Sequence, residues 1–153
     1  MKLLFRANCA YILGMQPSLT SPSAMERLRG VGLRPTRQRL ALARLLFDGG
    51  ARHVTAEQLH GEAVGAAIPV SLATVYNTLH QFTDAGLLRE VVVEPGRSYF
   101  DTNIEDHHHF FWEPSGVLQD IPGAGVVVSG LPQPPDGAEI RRVEVIVRVR
   151  RDA

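Results

Sequence analysis

Sulfur ligands and long apolar runs are both scarce in this sequence. Cys9 is the only cysteine among 153 residues, so the chain forms no internal disulfide and no structural four-cysteine zinc site. This cysteine usage fits a reducing compartment, and we expect a cytoplasmic protein. No apolar run approaches the roughly 20 residues that span a bilayer, so no membrane partner is expected. The 44% hydrophobic content is typical of a globular chain with one domain or two small ones.

The first 24 residues lack the patterns that predict structure. Lys2, Arg6 and the small residues near Ala24 resemble parts of a signal peptide. However, polar residues and glycine interrupt the apolar core of about 7–15 residues that such a signal needs. We therefore interpret residues 1–24 as a disordered or extraneous extension and begin the fold at Met25.

A formal net charge of zero conceals strong charge segregation. Residues 26–52 carry seven arginines against two acids, a net charge of +5, whereas residues 53–136 carry two arginines against eleven acids, a net charge of −9. A basic stretch beside an acidic one indicates a part that faces a polyanion and a part that binds cations. Solvated helix faces would give the same pattern, so charge alone leaves both interpretations open.

Four helices followed by a β-hairpin are predicted for residues 25–102. Apolar positions recur at helical spacing, Thr36, Thr55 and Ser71 can cap helices, and Gly86 can end one. The predicted helices cover residues 25–32, 36–47, 55–64 and 72–85. The hairpin strands are residues 87–93 and 98–101, joined by a Glu-Pro-Gly turn. This order predicts an N-terminal winged helix-turn-helix domain.

Residues 103–153 are predicted to form a small α/β dimerisation domain, which makes the fold class α+β. Strands are expected at residues 110–112 and 116–121, a short helix near 124–129, and a half-buried strand at 140–149, where valines alternate with other residues. Because so small a unit buries little apolar surface alone, we expect a homodimer.

Residues 107–109 are three consecutive histidines out of six in the chain. Alternate side chains of an extended segment point to the same face, so His107 and His109 should lie together and His108 should point away. Imidazole is a common metal ligand, and two of them on one face are half of a metal site. A solvated polar loop is the alternative for such a run in isolation.

The predicted fourth helix carries residue types that contact DNA. Hydroxyl groups near its start can donate to phosphates, Asn77 can pair with adenine in the major groove, and arginines of the first helices can neutralise backbone charge. A polar helix face that meets only water explains the pattern equally well. The candidate DNA-binding residues are Arg34, Thr36, Arg39, Ser71, Thr74, Tyr76 and Asn77.

Four sequence segments shift this balance towards DNA binding: LRPTRQRLALARLL at 33–46, HVTAEQL at 53–59, SLATVYNTLHQFTDAGLL at 71–88, and YFD at 99–101 before the histidines. In order and spacing they resemble the ferric uptake regulator family, and most closely its iron response regulator branch. The resemblance implies a dimeric winged-helix repressor of iron-homeostasis genes that binds a palindromic operator. Many members have arginine at the position of Asn77, so we expect a different operator sequence here.

The same resemblance implies a regulatory site between the two domains. It would hold one divalent metal per subunit, which is iron, manganese or zinc, through His53, Asp101, His107, His109 and Asp120. The branch also associates the histidine run with haem, so His107, His108 and His109 are candidate haem ligands. Trp112 and Ser115 stand where the family's first zinc-binding cysteine pair would be.

Two other functions compete with an iron- or haem-responsive repressor. A peroxide-sensing metalloregulator would use the same scaffold, and aspartate at 101 and 120 is similar to that branch. A zinc-dependent hydrolase would need an open coordination position and a general base. The sequence has no H-E-x-x-H or similar motif, so we expect that the protein is not an enzyme.

Overall fold

The structure is a computed structural model that describes residues 22–151. Helix α1 (Ala24–Gly30) begins one residue before the predicted domain start. Ser23 caps it by accepting a hydrogen bond from the Glu26 amide, and the Glu26 carboxylate accepts one from the Ser23 amide at 2.8 Å. Ala24 is buried, so the folded part includes the end of the predicted extension. Residues 1–21 of that extension lie outside the described residues.

The next three helices begin at the predicted caps. They are α2 (Arg37–Phe47), α3 (Ala56–Gly65) and α4 (Leu72–Asp84). The side chains of Thr36, Thr55 and Ser71 each accept a hydrogen bond from the backbone amide three residues later. The inward faces of the helices share one core that includes Leu42, Leu46, Leu59, Val75, Leu79 and Phe82. Local capping and helical periodicity therefore account for this half of the fold.

A three-stranded antiparallel sheet completes the winged-helix part. Its order is β1-β3-β2, with β1 (His53–Val54), β2 (Arg89–Glu94) and β3 (Arg97–Asp101). The predicted hairpin is β2–β3, and its turn contains Gly96 at a φ of 77°. Strand β1 was not predicted because two residues are too short to show an alternating pattern.

The second sheet has the order β5-β4-β6, formed by β4 (His108–Glu113), β5 (Val117–Ile121) and β6 (Ile146–Arg150). Strand β6 runs parallel to β4. Only the second half of the strand predicted at 140–149 pairs with a neighbour. The helix predicted near 124–129 is a single 3₁₀ turn, Gly123–Gly125, because glycine and three consecutive valines disfavour a longer helix there.

The two sheets pack face to face through a second, smaller core. Val91, Val93 and Tyr99 of the first sheet meet Phe111 and Leu118 of the second. The guanidinium carbons of Arg97 and Arg148 lie 5.5 and 5.3 Å from the Phe111 ring centroid. This packing places the end of β3 beside the start of β4. None of the helices in the described part of the chain is long and apolar enough to cross a membrane.

Candidate metal centre

Strand register brings four of the five predicted ligands into two facing rows. On the first sheet, Asp101 pairs with His53 of β1 on one side and with Arg89 of β2 on the other. On the second sheet, His109 of β4 pairs with Asp120 of β5. Residues directly opposite each other in a sheet project to the same face, so each row presents its side chains together. The two rows meet at the end of the sheet-sheet contact.

Five donor atoms converge between these rows. One ligand atom from each of His53, Asp101, His107, His109 and Asp120 lies within 4.8 Å of all the others. Asp101 Oδ2 is 2.9 Å from His107 Nε2 and 3.3 Å from both His53 Nε2 and His109 Nε2. Asp120 Oδ1 is 2.7 Å from His53 Nε2 and 3.3 Å from His107 Nε2. The structure thus brings together all five residues of the predicted metal set, although residues 53 and 120 are far apart in sequence.

The electrostatics of the cluster favour a cation at its centre. Asp101 and His109 are fully buried and His107 is nearly so. Burial raises the pKa of Asp101, but the neighbouring His109 and His53 imidazoles and a hydrogen bond from the Asn103 amide outweigh burial and hold the pKa far below its ordinary value. Burial lowers the pKa of His53, but the Asp101 and Asp120 carboxylates outweigh it and raise the pKa above 6.5. The site therefore carries two carboxylates that attract positive charge.

Hydrogen bonds from outside the cluster set the orientation of its ligands. His107 Nδ1 donates to the Glu105 carbonyl at 2.7 Å, which leaves the Nε2 lone pair directed at the cluster. The Asn103 amide donates to Asp101 Oδ1 at 2.8 Å, and Asn103 Nδ2 donates to Asp120 Oδ2 at 3.1 Å. One oxygen of each carboxylate is thus held from behind, and the other oxygen faces the histidines.

The donor set fits a divalent transition metal. His107 Nε2 and His109 Nε2 lie only 2.9 Å apart, and His53 Nε2 and Asp120 Oδ1 are buried without a hydrogen-bond partner. Ligands about 2.0–2.2 Å from one ion are roughly 3 Å from their neighbours, which is the spacing seen here. Three imidazoles and two carboxylates suit iron, manganese or zinc.

His108 is separated from the other two histidines, as the alternation predicts. Its side chain is half-buried, and its Nδ1 accepts a hydrogen bond from the Val145 amide at 3.3 Å. His107 and His109 turn their Nε2 atoms towards the carboxylates and away from solvent. In this arrangement the three residues do not form one exposed surface for haem, and haem binding by them stays a prediction.

Four of the candidate DNA-binding residues line one shallow surface depression. Thr36, Arg39, Thr74 and Asn77 surround a volume of about 260 Å³ where α2 meets α4. Arg39 Nε and Nη2 donate to Gln81 Oε1 at 3.0 and 2.6 Å, so this guanidinium is fixed beside α4.

The other three candidates do not line this depression. Arg34 is exposed, and its carbonyl accepts a hydrogen bond from Arg39 Nη1. Ser71 is the exposed N-cap of α4. The Tyr76 hydroxyl lies in a separate cleft and donates to Glu57 at 2.6 Å.

Asn103 and Arg89 were missed by the sequence analysis. Asn103 follows Asp101 by two residues, a spacing at which a backbone amide commonly bonds an aspartate side chain, and that was the one available signal. Arg89 carries no local signal, because an arginine at the start of a strand usually faces solvent.

Comparison with known proteins identifies the fold and the family. The sequence profile of the ferric uptake regulator family matches residues 30–126. The ferric uptake regulator of Pseudomonas aeruginosa with manganese is similar in structure, with a TM-score of 0.66, 25% identity, and coverage of 86% of this chain and 100% of that one. The Vibrio cholerae ferric uptake regulator covers 80% of this chain and 95% of its own length, with a TM-score of 0.62, and at 22% identity it supports the fold alone.

Curated relatives include the peroxide-responsive repressor PerR of Staphylococcus epidermidis, which is 36% identical over 95 residues. That match covers 61% of this chain and 62% of the relative, so it spans less than two thirds of either protein. Family members are dimeric DNA-binding transcription regulators rather than enzymes. Because the family profile matches well over half of the sequence, and the winged-helix fold agrees with it, this chain belongs to the ferric uptake regulator family.

Proposed function

We propose that this protein is a metal-dependent transcription repressor of iron-homeostasis genes, with one regulatory divalent metal per subunit. The observation that carries the proposal is the convergence of three imidazole nitrogens and two carboxylate oxygens between the two sheets. Iron(II) is one of the metals that this mixed nitrogen and oxygen donor set suits, and we take it as the signal. Bound there, the ion supplies positive charge that holds the five donors together.

The position of the ligands explains how occupancy would control DNA binding. His53 and Asp101 belong to the winged-helix sheet, whereas His109 and Asp120 belong to the second sheet. Without the ion, the histidines are the partners that balance the charge of the two carboxylates within residues 22–151. A cation shared by both sheets favours the one arrangement in which all the donors meet, so it shifts the population towards that arrangement.

Operator contact is assigned to the N-terminal half of α4 and the neighbouring depression. Asn77 is exposed there and can reach base edges, while Ser71, Thr74 and Thr36 offer hydroxyls for phosphates. The positive end of the α4 dipole adds to phosphate binding. In a homodimer, two copies of α4 would read the two halves of a palindromic site.

Peroxide sensing at the same centre is the second candidate. The Staphylococcus epidermidis relative named above is a peroxide-responsive repressor, and that observation favours this candidate. Three histidines in contact with one iron(II) ion would be the groups exposed to oxidation at this site. Haem regulation is the third candidate, and it would use His108 together with His107 or His109.

One titration series tests these proposals. DNA sites are first selected from random duplexes with manganese-loaded protein, and affinity is then measured at one salt concentration with apoprotein, Mn(II), Fe(II), Fe(II) followed by peroxide, and haem. We expect Mn(II) and Fe(II) to tighten binding, and His109→Ala to remove the effect. The double variant Tyr76→Ala with Asn77→Ala should bind the selected site no more tightly than it binds unrelated DNA.

The outcomes separate the candidates. Loss of Fe(II)-promoted binding after peroxide, with oxidised His53 or His107 by mass spectrometry, would favour the peroxide sensor. Release by haem alone would favour haem control. Indifference to every metal would refute the regulatory role of the site, and unchanged affinity in the double variant would refute the assignment of α4.

A further inference from the structure

Arg89 is an almost completely buried arginine at the start of β2, with 3% of its surface exposed. A buried charge is costly unless it is paired and hydrogen-bonded. Its guanidinium contacts two further segments. Nη1 donates to the Glu105 carbonyl at 3.1 Å, and Nη2 donates to the His107 carbonyl at 3.0 Å and to the Glu144 carboxylate at 2.5 Å. Arg89 thus joins the first sheet to the ligand loop and to the chain that enters β6.

The Glu105 carbonyl is shared between Arg89 and a metal ligand. It accepts from Arg89 Nη1 and also from His107 Nδ1 at 2.7 Å. The second of these bonds is the shorter one and places the His107 proton on Nδ1, which leaves Nε2 free to bind a metal. Arg89 Nη1 also lies 3.3 Å from His107 Nδ1, but with a proton on that nitrogen it donates to the carbonyl instead. Arg89 therefore holds in place the carbonyl group that orients His107.

Arg89 also belongs to the row of ligands on the first sheet. Its Cα partner across the β2–β3 pair is Asp101, whose partner on β1 is His53. On the other side, Glu144 directly precedes Val145, which accepts a backbone hydrogen bond from His109 and donates one to His108. The guanidinium consequently lies between the ligands and the start of β6.

We propose that Arg89 is a positioning residue for the metal centre, and that its ion pair with Glu144 couples metal occupancy to the position of the C-terminal strand β6. This inference rests on the metal site proposed above. A guanidinium suits the role because its donors form a rigid planar fork that can bond two carbonyls and a carboxylate together.

The test compares Arg89→Gln, Arg89→Lys and Glu144→Gln with the wild-type protein. A matched control is Glu113→Gln. Glu113 of β4 pairs with Arg148 of β6 at 3.0 Å, and Glu113 lies at the end of the β4–β6 pair that is opposite to His109. Three quantities are measured: Mn(II) affinity by chelator competition, the tautomer of the His107 ring by ¹H–¹⁵N NMR, and the melting temperature of the apoprotein.

We expect Arg89→Gln to weaken Mn(II) binding by roughly 10–100-fold and Glu144→Gln by roughly 10-fold, as for other groups that orient metal ligands. Arg89→Lys should fall between wild type and Arg89→Gln, because one ammonium cannot reach all three acceptors. In Arg89→Gln the His107 ring should lose its single Nδ1–H tautomer. Glu113→Gln should leave affinity and tautomer unchanged.

Each outcome decides between the proposals. Wild-type protein that binds no Mn(II) would overturn the metal site and this inference with it. Wild-type binding with equal affinity in Arg89→Gln and Glu144→Gln would overturn this inference alone. A lower apoprotein melting temperature with an unchanged tautomer and affinity would show that the ion pair only stabilises the fold. If Arg89→Gln does not fold, Glu144→Gln decides, because this side chain is 26% exposed and its loss leaves both carbonyl contacts of Arg89 in place.

Discussion

Replacing Asn103 with alanine should weaken metal binding without removing a ligand. The Asn103 side chain donates to Asp120 Oδ2 at 3.1 Å and so keeps Asp120 Oδ1 directed at the three histidines. Its backbone amide makes the bond to Asp101, and alanine retains that bond. The substitution therefore removes the contact that orients Asp120, together with the hydrogen bond that Asn103 Oδ1 accepts from the Glu105 amide at 3.2 Å.

The size of the effect follows from the type of bond and its exposure. Hydrogen bonds to a charged group contribute about 1.5–3 kcal/mol. The Asp120 side chain is 35% exposed, so water replaces part of the lost contact, and we take the lower end of this energy range. About 1.4 kcal/mol corresponds to a tenfold weaker Mn(II) affinity. Groups that orient metal ligands typically change affinity by about 10–100-fold, which agrees with this value.

Chelator competition with Mn(II) at constant pH measures the effect, and the rise in melting temperature on adding Mn(II) provides a second measure. Asn77→Ala is the matched control, because Asn77 is an exposed asparagine on α4 outside the metal centre. A change of less than twofold for Asn103→Ala, or an equal change for Asn77→Ala, would refute the argument that Asn103 orients Asp120.

Three further predictions concern pH, the packing between the sheets, and helix capping. Because the pKa of His53 is raised above 6.5, the apoprotein should lose stability as the pH rises above 6.5 and through the pKa of the folded state. Mn(II) affinity should rise over the same pH range, because only the deprotonated imidazole binds a metal. Melting curves and Mn(II) titrations at several pH values check the two directions. Phe111→Ala should lower the free energy of unfolding by about 3–5 kcal/mol in urea titrations, since the ring is buried between the sheets; a loss below about 1 kcal/mol would contradict that packing role. Ser71→Ala should cost about 1 kcal/mol through loss of the α4 cap, and Ser71→Gly only a few tenths; equal losses would count against capping.

Local sequence determined the helices and the β2–β3 hairpin. Caps at Thr36, Thr55 and Ser71, together with helical spacing of apolar residues, act within a few positions of each other, so they can be recognised without the fold. The alternation of His107 and His109 was predictable for the same reason, because it needs only an extended backbone.

Longer-range features were harder to predict. Strand β1 is too short to show periodicity, and the first half of the strand predicted at 140–149 makes no regular pairing, because alternation in sequence does not reveal whether a neighbouring strand is available. The five candidate metal ligands were predicted through the family resemblance, since no local pattern links His53 with Asp120.

By itself, then, the sequence determined the four helices, the β2–β3 hairpin and which histidines share a face. Tertiary structure alone decided that Asn103 bonds Asp120 and that Arg89 is buried against the His107 and Glu105 carbonyls and Glu144. The physical reason is distance along the chain: those contacts join residues 16–55 positions apart, and only the pairing and packing of two sheets bring them within hydrogen-bond range.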